Sequence, residues 1–254
     1  MRTADWTATV SVLDRITAVF DAFGDEDEGL GVSELARRAH LPKSTVSRLA
    51  ADLVAQRFLE RDGDRLFLGL RLFEFAQTVE RPRMLRRIAM PVMTELRDAT
   101  GHSVSLSVLD GADVVCIAMV RGESTGSPLL RIGGRLPAHA TATGKAMLAY
   151  LPRDDLDPVL AGGLPGRTDR TIRDPDLLRR QLAEVRRLGV ATELGECADD
   201  RACAASPILA PGGAAIAAVA VAGPEGVLAP ERVAPAVRAA ASALGRRLAA
   251  NPGD

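Results

Sequence analysis

Small polar and basic side chains crowd the start of one candidate helix near the N-terminus of the chain. In the stretch PKSTVSRLAADL these residues are Lys43, Ser44, Thr45, Ser47 and Arg48. Lysine and arginine bind phosphate groups, arginine also pairs with the edge of guanine, and serine and threonine hydroxyls donate hydrogen bonds to phosphate oxygens. Together on one helix, they predict a surface that contacts nucleic acid.

The apolar residues of the same stretch predict how that surface is held. Val46, Leu49, Ala50 and Leu53 follow the i, i+3, i+4, i+7 spacing of a helix that is buried along one side. Pro42 precedes them and suits the first turn of a helix, where a missing N–H costs nothing. The polar and basic residues are then left on the exposed side.

The elements around this helix complete a small domain. Apolar residues recur at helical spacing over residues 12–23, and a short second helix leads into a turn at His40. After the third helix, residues 58–61 and 65–68 are typical of two strands joined by an Asp-Gly turn. Three helices and a hairpin predict a winged helix-turn-helix domain over residues 1–69, with the start of its third helix in the major groove of DNA.

Local charge supports this interpretation in part. Residues 37–71 contain eight basic and four acidic side chains, a local net charge of +4, whereas the whole chain carries −1. Arg65, at the start of the second strand of the hairpin, is a further candidate for contact with DNA. The acidic run 25–28 offsets part of the local charge, so the acids must lie away from a bound duplex.

A linker follows the hairpin. A helical apolar pattern covers residues 70–80 and Pro82 is expected to break it, so residues 70–82 are predicted to form a linker helix. Its apolar stripe contains Leu72, Phe73, Ala76 and Val79. A stripe of this kind needs a partner, and a single winged domain makes too few contacts for specificity on DNA. The chain is therefore expected to form a homodimer or a tetramer.

The remaining residues, 83–254, predict a larger α+β domain. Val104 and Leu106 alternate with serines ahead of an Asp-Gly turn, which predicts a hairpin with one small polar face. A strand is expected near residues 129–131, and a second hairpin at 202–209 and 214–222. Helical patterns cover residues 84–100, 141–150, 175–188 and 230–248. Helices and a mostly antiparallel sheet make an α+β fold.

Composition narrows the class of protein. The three cysteines are an odd number and show no zinc-finger spacing, which is typical of a reducing, cytoplasmic environment. No secretory signal pattern and no apolar run of membrane-spanning length is found, so a membrane partner is not expected. No motif for a cofactor or for catalysis, such as G-x-S-x-G, is present, and we expect neither a cofactor nor enzyme activity.

Across nearly its whole length the chain resembles the IclR family of bacterial transcription regulators. The motifs are SELARRAHLPKSTVSRL, LFLGLRLFEFA, LPAHATATGKAMLAYLP, TDRTIRDPDLLRRQLAEVRRLGVA, CAASPI and AVAVAGP, in this order. The resemblance implies a winged-helix domain, a dimerising linker helix and a GAF-like effector-binding domain. It also implies an oligomer that binds operator DNA, acting as a repressor, with an affinity that a small molecule modulates.

The resemblance also implies an effector site around HATATGK. Its residues in this chain are Leu136, Ala138, Ala140, Thr141, Ala142, Thr143, Cys203, Ala205, Ala220 and Ala222. A helix start offers free N–H groups to an anion, so the expected ligand is a carboxylate. Ala220 and Ala222 stand where relatives often carry serines, which favours an acid with an apolar or aromatic body.

Two other interpretations stay open at this stage. Cys116, His139, Cys197 and Cys203 could converge on a metal ion or form a cysteine–histidine nucleophile pair, although none lies at a local ligand spacing. The second domain could also be a protein-interaction module that binds no ligand. That alternative leaves the loop before HATATGK without a role.

Overall fold

The computed structural model describes residues 11–24, 28–123 and 130–250. Its contacts divide the chain into two compact units, Met1–Glu80 and Arg81–Asp254. The division falls inside the stretch 70–82 that the sequence assigns to a linker. No helix in the described ranges combines the length and the apolar character needed to cross a bilayer.

The first unit is a winged helix-turn-helix, as predicted. Its core joins the three helices to the sheet through Leu35, Val46 and Leu66, which are all fully buried. The sheet has the strand order β1-β3-β2, so the hairpin pairs with the short strand that precedes α2. The elements are α1 Val12–Asp21, β1 Leu30–Gly31, α2 Val32–Arg38, α3 Lys43–Ala55, β2 Leu59–Asp62, β3 Arg65–Leu68 and α4 Leu70–Thr78.

Two turns and the end of α1 show how local sequence shapes the first unit. The turn between α2 and α3 contains His40 at φ 54, a left-handed conformation that histidine adopts more readily than most residues. In the wing, Asp62 pairs with Arg65, so the turn residues are Gly63 and Asp64 rather than the expected Asp-Gly pair. Helix α1 ends at Asp21, earlier than predicted, and residues 25–27 of the acidic run lie outside the described ranges.

The predicted helix break at Pro82 is wrong. The interruption lies at Val79, whose ψ of 103° is extended, and the next helix, α5 Glu80–Thr100, begins before the proline. Pro82 therefore occupies the first turn of α5, where its missing N–H has no intrahelical acceptor to lose. The sequence pattern located the break within three residues but assigned it to the wrong residue.

The second unit is a three-layer α+β domain around a fully antiparallel sheet with the strand order β6-β5-β4-β9-β8-β7. Helices α5 and α9 pack on one face of the sheet, and α6 and α8 pack on the other. The strands are β4 Ser103–Asp110, β5 Asp113–Val120, β6 Arg135–Pro137, β7 Ala191–Leu194, β8 Arg201–Leu209 and β9 Ala215–Pro224. The other helices are α6 Ala142–Leu148, α7 Arg153–Ala161, α8 Pro175–Leu188 and α9 Pro230–Ala250.

Three features of the second unit differ from expectation. The strand predicted at 129–131 does not form at Leu130 and Arg131, and Leu129 lies outside the described residues. The edge strand is instead β6, which pairs with β5 after a turn at Ile132 and Gly133. Neither α7 nor β7 is evident from periodicity, because both are short and β7 has only four residues.

Helix α6 lies unusually close to the sheet. All seven of its residues are buried. A Cβ at Gly144 would lie 2.1 Å from the carbonyl oxygen of Ala138, so only glycine fits there. Beneath the helix, Ala191, Ala205 and Ala220 are neighbours on three adjacent strands. Small side chains on both surfaces therefore set how closely α6 approaches the sheet.

Candidate functional site

The exposed side of α3 carries the polar and basic residues that the sequence singled out. Lys43, Ser44, Ser47 and Arg48 are exposed, and Thr45 is half-buried. Within the described ranges no ion pair or hydrogen bond engages the charged groups of Lys43 or Arg48. Two unpaired cations at the start of an exposed helix are suited to phosphate and base contacts.

The wing is arranged differently from α3. The Arg65 guanidinium donates hydrogen bonds to the carbonyl oxygens of Glu28 (2.9 Å) and Gly29 (3.2 Å), so it braces the loop before β1. Asp62 and Asp64 flank the tip of the hairpin and are exposed. Negative charge at this tip repels phosphate, which makes α3 the stronger candidate for DNA contact.

A cavity opens on the α6 side of the second unit's sheet. It leaves about 60 Å³ for the centres of water molecules. That is room for about four waters, or for one small organic molecule. The lining residues are Ser103, Ser105, Met119, Arg121, Leu130, Leu136, Thr141, Thr143, Glu193, Cys197, Arg201, Ala202, Cys203 and Ala222.

Strand register explains why the cavity lies where it does. Ser103, Ala222, Cys203 and Glu193 are successive neighbours across β4, β9, β8 and β7, and all four line the cavity. One row further along the strands are the alanines beneath α6. The cavity is therefore the space left at the end of the sheet face that α6 does not cover.

The predicted effector residues divide into two groups. Five of them line the cavity: Leu136, Thr141, Thr143, Cys203 and Ala222. The other five are fully buried in the core cluster between α6 and the sheet and are absent from the cavity lining: Ala138, Ala140, Ala142, Ala205 and Ala220. Their role in the structure is to let helix and sheet pack closely.

Sequence reasoning missed most of the polar cavity wall. Ser103 and Ser105 were noticed as a polar face of a hairpin but were not assigned to the site. Arg121, Glu193 and Arg201 were not singled out at all. These residues come from strands that are far apart in sequence, so only the strand order brings them to one cavity.

The start of α6 offers one uncommitted hydroxyl. Thr141 is the N-cap, and its Oγ1 accepts a hydrogen bond from the Gly144 N–H (3.1 Å). The same hydroxyl lies 3.3 Å from the carbonyl oxygen of Pro137, to which it donates. In the described part of the chain no partner engages the Thr143 hydroxyl, which borders the cavity.

Close to the cavity, a buried ion pair ties α6 to the loop after β7. Lys145 is fully buried, and its Nζ lies 2.6 Å from Glu196 Oε1. The second carboxylate oxygen of Glu196 is buried without a partner among the described residues. Burial raises the pKa of Glu196, and the charge of Lys145 opposes that rise.

Glu193 supplies the carboxyl group among the described residues that line the cavity. The residue is only 5% exposed. Its Oε1 accepts hydrogen bonds from the backbone N–H groups of Glu196 and Cys197, both at 3.1 Å. Burial raises the pKa of Glu193 to about 7, although the two N–H donors favour the ionised form. The group therefore changes charge near neutral pH.

The candidate metal and nucleophile residues do not assemble into such a site. In the described ranges no three His, Cys, Asp or Glu side chains are placed to hold a metal ion. Burial raises the pKa of the Cys116 and Cys197 thiols to about 11 and raises that of Cys203 as well, so these sulfurs are protonated at neutral pH. The buried ring of His139 lies with its Nε2 3.1 Å from the carbonyl oxygen of Pro165.

Two family models match the chain. The model for the "Bacterial transcriptional regulator IclR C-terminal" domain matches residues 77–246, and the model for the "IclR helix-turn-helix domain" matches residues 12–63. The two matches together cover most of the chain: the helix-turn-helix match lies within the first unit, and the C-terminal match begins at residue 77 and covers most of the second.

Individual proteins are similar over nearly the same span. The Transcriptional repressor IclR of Escherichia coli is 30% identical over 91% of this chain and 86% of its own, and the Acetate operon repressor of Salmonella typhimurium matches to the same extent. A solved structure of an IclR homolog from Microbacterium hydrocarbonoxydans, complexed with 4-hydroxybenzoate, is 31% identical. It superposes with a TM-score of 0.86 over 95% of this chain and 100% of its own.

The Glu193→Gln variant should flatten the pH dependence of folding stability. The folded-state pKa of Glu193, about 7, lies above its ordinary value of 4.5. The stability contributed by the protonated group is full below the ordinary pKa and is lost as the pH rises through the folded-state pKa. We expect the wild type to lose on the order of 2 kcal/mol at this group between pH 5 and pH 8, and the variant to lose none of it.

Urea denaturation at pH 5 and pH 8 measures this difference. Glu95→Gln, at an exposed position of α5, is the matched control for the removal of one carboxylate. Equal pH dependence in the wild type and in Glu193→Gln would show that Glu193 does not titrate in this range.

Proposed function

Because the chain belongs to the IclR family of bacterial transcription regulators, we propose that it binds operator DNA through α3 and that a small organic acid in the cavity shifts its affinity for DNA. The observation that carries the DNA half is the pair of unpaired cations, Lys43 and Arg48, on the exposed side of α3. The observation that carries the effector half is the cavity lined by both apolar and hydrogen-bonding groups.

The cavity suits an acid with an apolar or aromatic body. Met119, Leu130 and Leu136 supply apolar walls, while Thr143 and Arg121 supply donors for a carboxylate. The relative complexed with 4-hydroxybenzoate supports an aromatic acid of this size. The alternative of a ligand-independent interaction module leaves these uncommitted donors without a role.

The regulator acts as a homo-oligomer in this proposal. Phe73 on α4 is 60% exposed and Leu72 is half-buried, and Val79, directly after the helix, is 53% exposed. Covering these apolar side chains with a second copy removes them from water and joins two winged domains for a two-fold operator. In this proposal the protein is cytoplasmic, since bacterial DNA lies in the cytoplasm, and it regulates by binding without catalysing a reaction.

Regulation follows from linkage between the two ligands. If the acid binds the DNA-free arrangement of the oligomer better than the DNA-bound one, it weakens operator affinity by the same factor by which DNA weakens acid binding. Relatives named as repressors support this direction.

Replacing the α3 cations should weaken DNA binding without unfolding the protein. We expect Arg48→Ala to cost about 1–3 kcal/mol of operator affinity if Arg48 contacts a guanine. Lys43→Ala should lower the salt dependence of binding by about one unit, as the loss of one phosphate contact does. Fluorescence anisotropy on a duplex selected by the wild type from a random library, at several salt concentrations, measures both.

Arg180→Ala, which removes an exposed charge from α8 in the other unit, is the matched control and should leave DNA affinity unchanged. Wild-type affinity in both α3 variants would contradict the assignment of α3 to the groove.

Introducing charge on α4 and at Val79, which directly follows it, should dissociate the oligomer. The Phe73→Glu/Val79→Glu double variant places two carboxylates on the face that we assign to the partner, where burying them unpaired is costly. We expect light scattering to show an oligomer for the wild type at micromolar concentration and a monomer for the variant. A monomeric wild type would contradict the proposal.

Changing Thr143 should remove the response to organic acids. In Thr143→Asp the new carboxylate lies beside the bound one, and at an effective dielectric of about 20 the repulsion is ~4 kcal/mol at 4 Å. Thr143→Val, which keeps the shape of the side chain, should weaken binding by about fivefold through the lost hydroxyl. DNA affinity with and without 4-hydroxybenzoate or benzoate is the measurement, and circular dichroism checks the fold. An unchanged response in both variants would place the carboxylate elsewhere.

A further inference from the structure

A groove on the second unit lies apart from the cavity beside α6 and shares none of its lining residues. It leaves about 550 Å³ for the centres of water molecules, a size typical of sites for small molecules. Its floor contains Ser206, Pro207 and Leu209 of β8, beyond the point where Ala205 pairs with Ala191 of β7. Helices α8 and α9 supply its two sides.

Four exposed arginines line this groove, which we call the arginine groove, and none of the described residues that line it carries a carboxylate. The four are Arg186 and Arg187 on α8 and Arg238 and Arg246 on α9. Arg187 is paired with Glu184 of its own helix, and the Arg186 guanidinium lies 5.5 Å from the centre of the Tyr150 ring. Among the described residues, no carboxylate pairs with Arg186, Arg238 or Arg246.

The helix dipole explains only part of this charge. Arg186 and Arg187 occupy the last turn of α8, where a cation stabilises the helix. Arg238 lies about three turns before the end of α9, and Arg246 lies outside its last turn, so both are beyond the range in which the dipole acts. Ser242 is four residues from each of them, and the three form one row along α9 with a length of about 12 Å.

The floor of the arginine groove disfavours an extended peptide as the partner. A peptide that adds a strand needs backbone N–H groups along the open edge of β8, and Pro207 has none. The neighbouring Ser206 hydroxyl already donates a hydrogen bond to the carbonyl oxygen of Gly189 (2.7 Å). Leu209 and Ala249 supply apolar surface for a compact organic body instead.

We infer that the arginine groove binds a small phosphorylated molecule, whose phosphoryl oxygens accept hydrogen bonds from Arg238 and Arg246. The planar guanidinium donates two parallel hydrogen bonds, which suits phosphate geometry. A phosphoryl group carries a charge of about −1.5 to −2 near pH 7, which matches several unpaired cations better than one carboxylate does. The site uses no residue of the cavity or of α3, so it does not depend on the proposed function.

Isothermal titration calorimetry on the full-length protein, with inorganic pyrophosphate and ADP as probes, tests this inference. Sulfate at the same ionic strength is the control for unspecific attraction of anions. We expect each probe to bind once per chain and at least about tenfold more tightly than sulfate. The Arg238→Gln/Arg246→Gln double variant should bind both probes at least about tenfold more weakly, because it loses hydrogen bonds from charged donors.

Arg232→Gln, which removes an exposed charge from α9 outside the arginine groove, is the matched control and should bind both probes as the wild type does. All three positions are exposed, so circular dichroism should show an intact fold in each variant. Probe binding that is no tighter than sulfate binding, or that is equal in the wild type and the double variant, overturns the inference.

Two further measurements on the double variant, made without the probes, distinguish other partners. A loss of operator affinity would assign the arginine groove to DNA, and a change of oligomeric state in light scattering would assign it to a second copy of the chain. Either result overturns the inference. The response of DNA affinity to 4-hydroxybenzoate should be the same in the double variant and the wild type, so the proposed function stands or fails separately.

Discussion

The close packing of α6 against the sheet is the constraint on which the second unit depends. The helix is fully buried, and glycine is required where it meets the carbonyl oxygen of Ala138. Lys145 is the one charged residue of this helix. Its charge is tolerated because Glu196 lies within hydrogen-bond distance, and removing one partner of such a buried pair typically costs about 3–5 kcal/mol.

This packing also determines the chemistry of the cavity. Because α6 covers Ala191, Ala205 and Ala220, the space for a ligand lies mainly along the neighbouring row, which holds Ser103, Cys203 and Glu193. Alanines that resemble ligand contacts in the sequence are thereby assigned to the core. The ion pair of Lys145 lies on the same helix as Thr143, so the hydroxyl that faces the cavity is held by a rigid, buried element.

In the first unit, packing likewise determines which side chains are left exposed. Helix α3 buries one side against the core through Val46 and Leu49, which leaves Lys43 and Arg48 on the other side with no partner in the described chain. The wing contributes less positive charge than its sequence suggests, because Arg65 is bonded to backbone carbonyl oxygens and acidic residues flank the tip. In the proposed function, the contact with DNA is therefore assigned mainly to α3.

The sequence by itself determined the features that depend on neighbours along the chain. Helical periodicity predicted the buried stripe and the exposed side of α3, Asp174 and Gly189 marked the two ends of α8, and glycines marked the hairpin turns. Local pattern could not locate the break between α4 and α5 at Val79, because a proline in the first turn of a helix and a proline that ends one look alike in sequence.

Only the tertiary structure decided which residues form the cavity wall. Ser103 and Glu193 are ninety residues apart and meet through two intervening strands, β9 and β8, so the pairing of β4 with β9 brings them together. Strand order and register are long-range properties, and no short stretch of residues contains them.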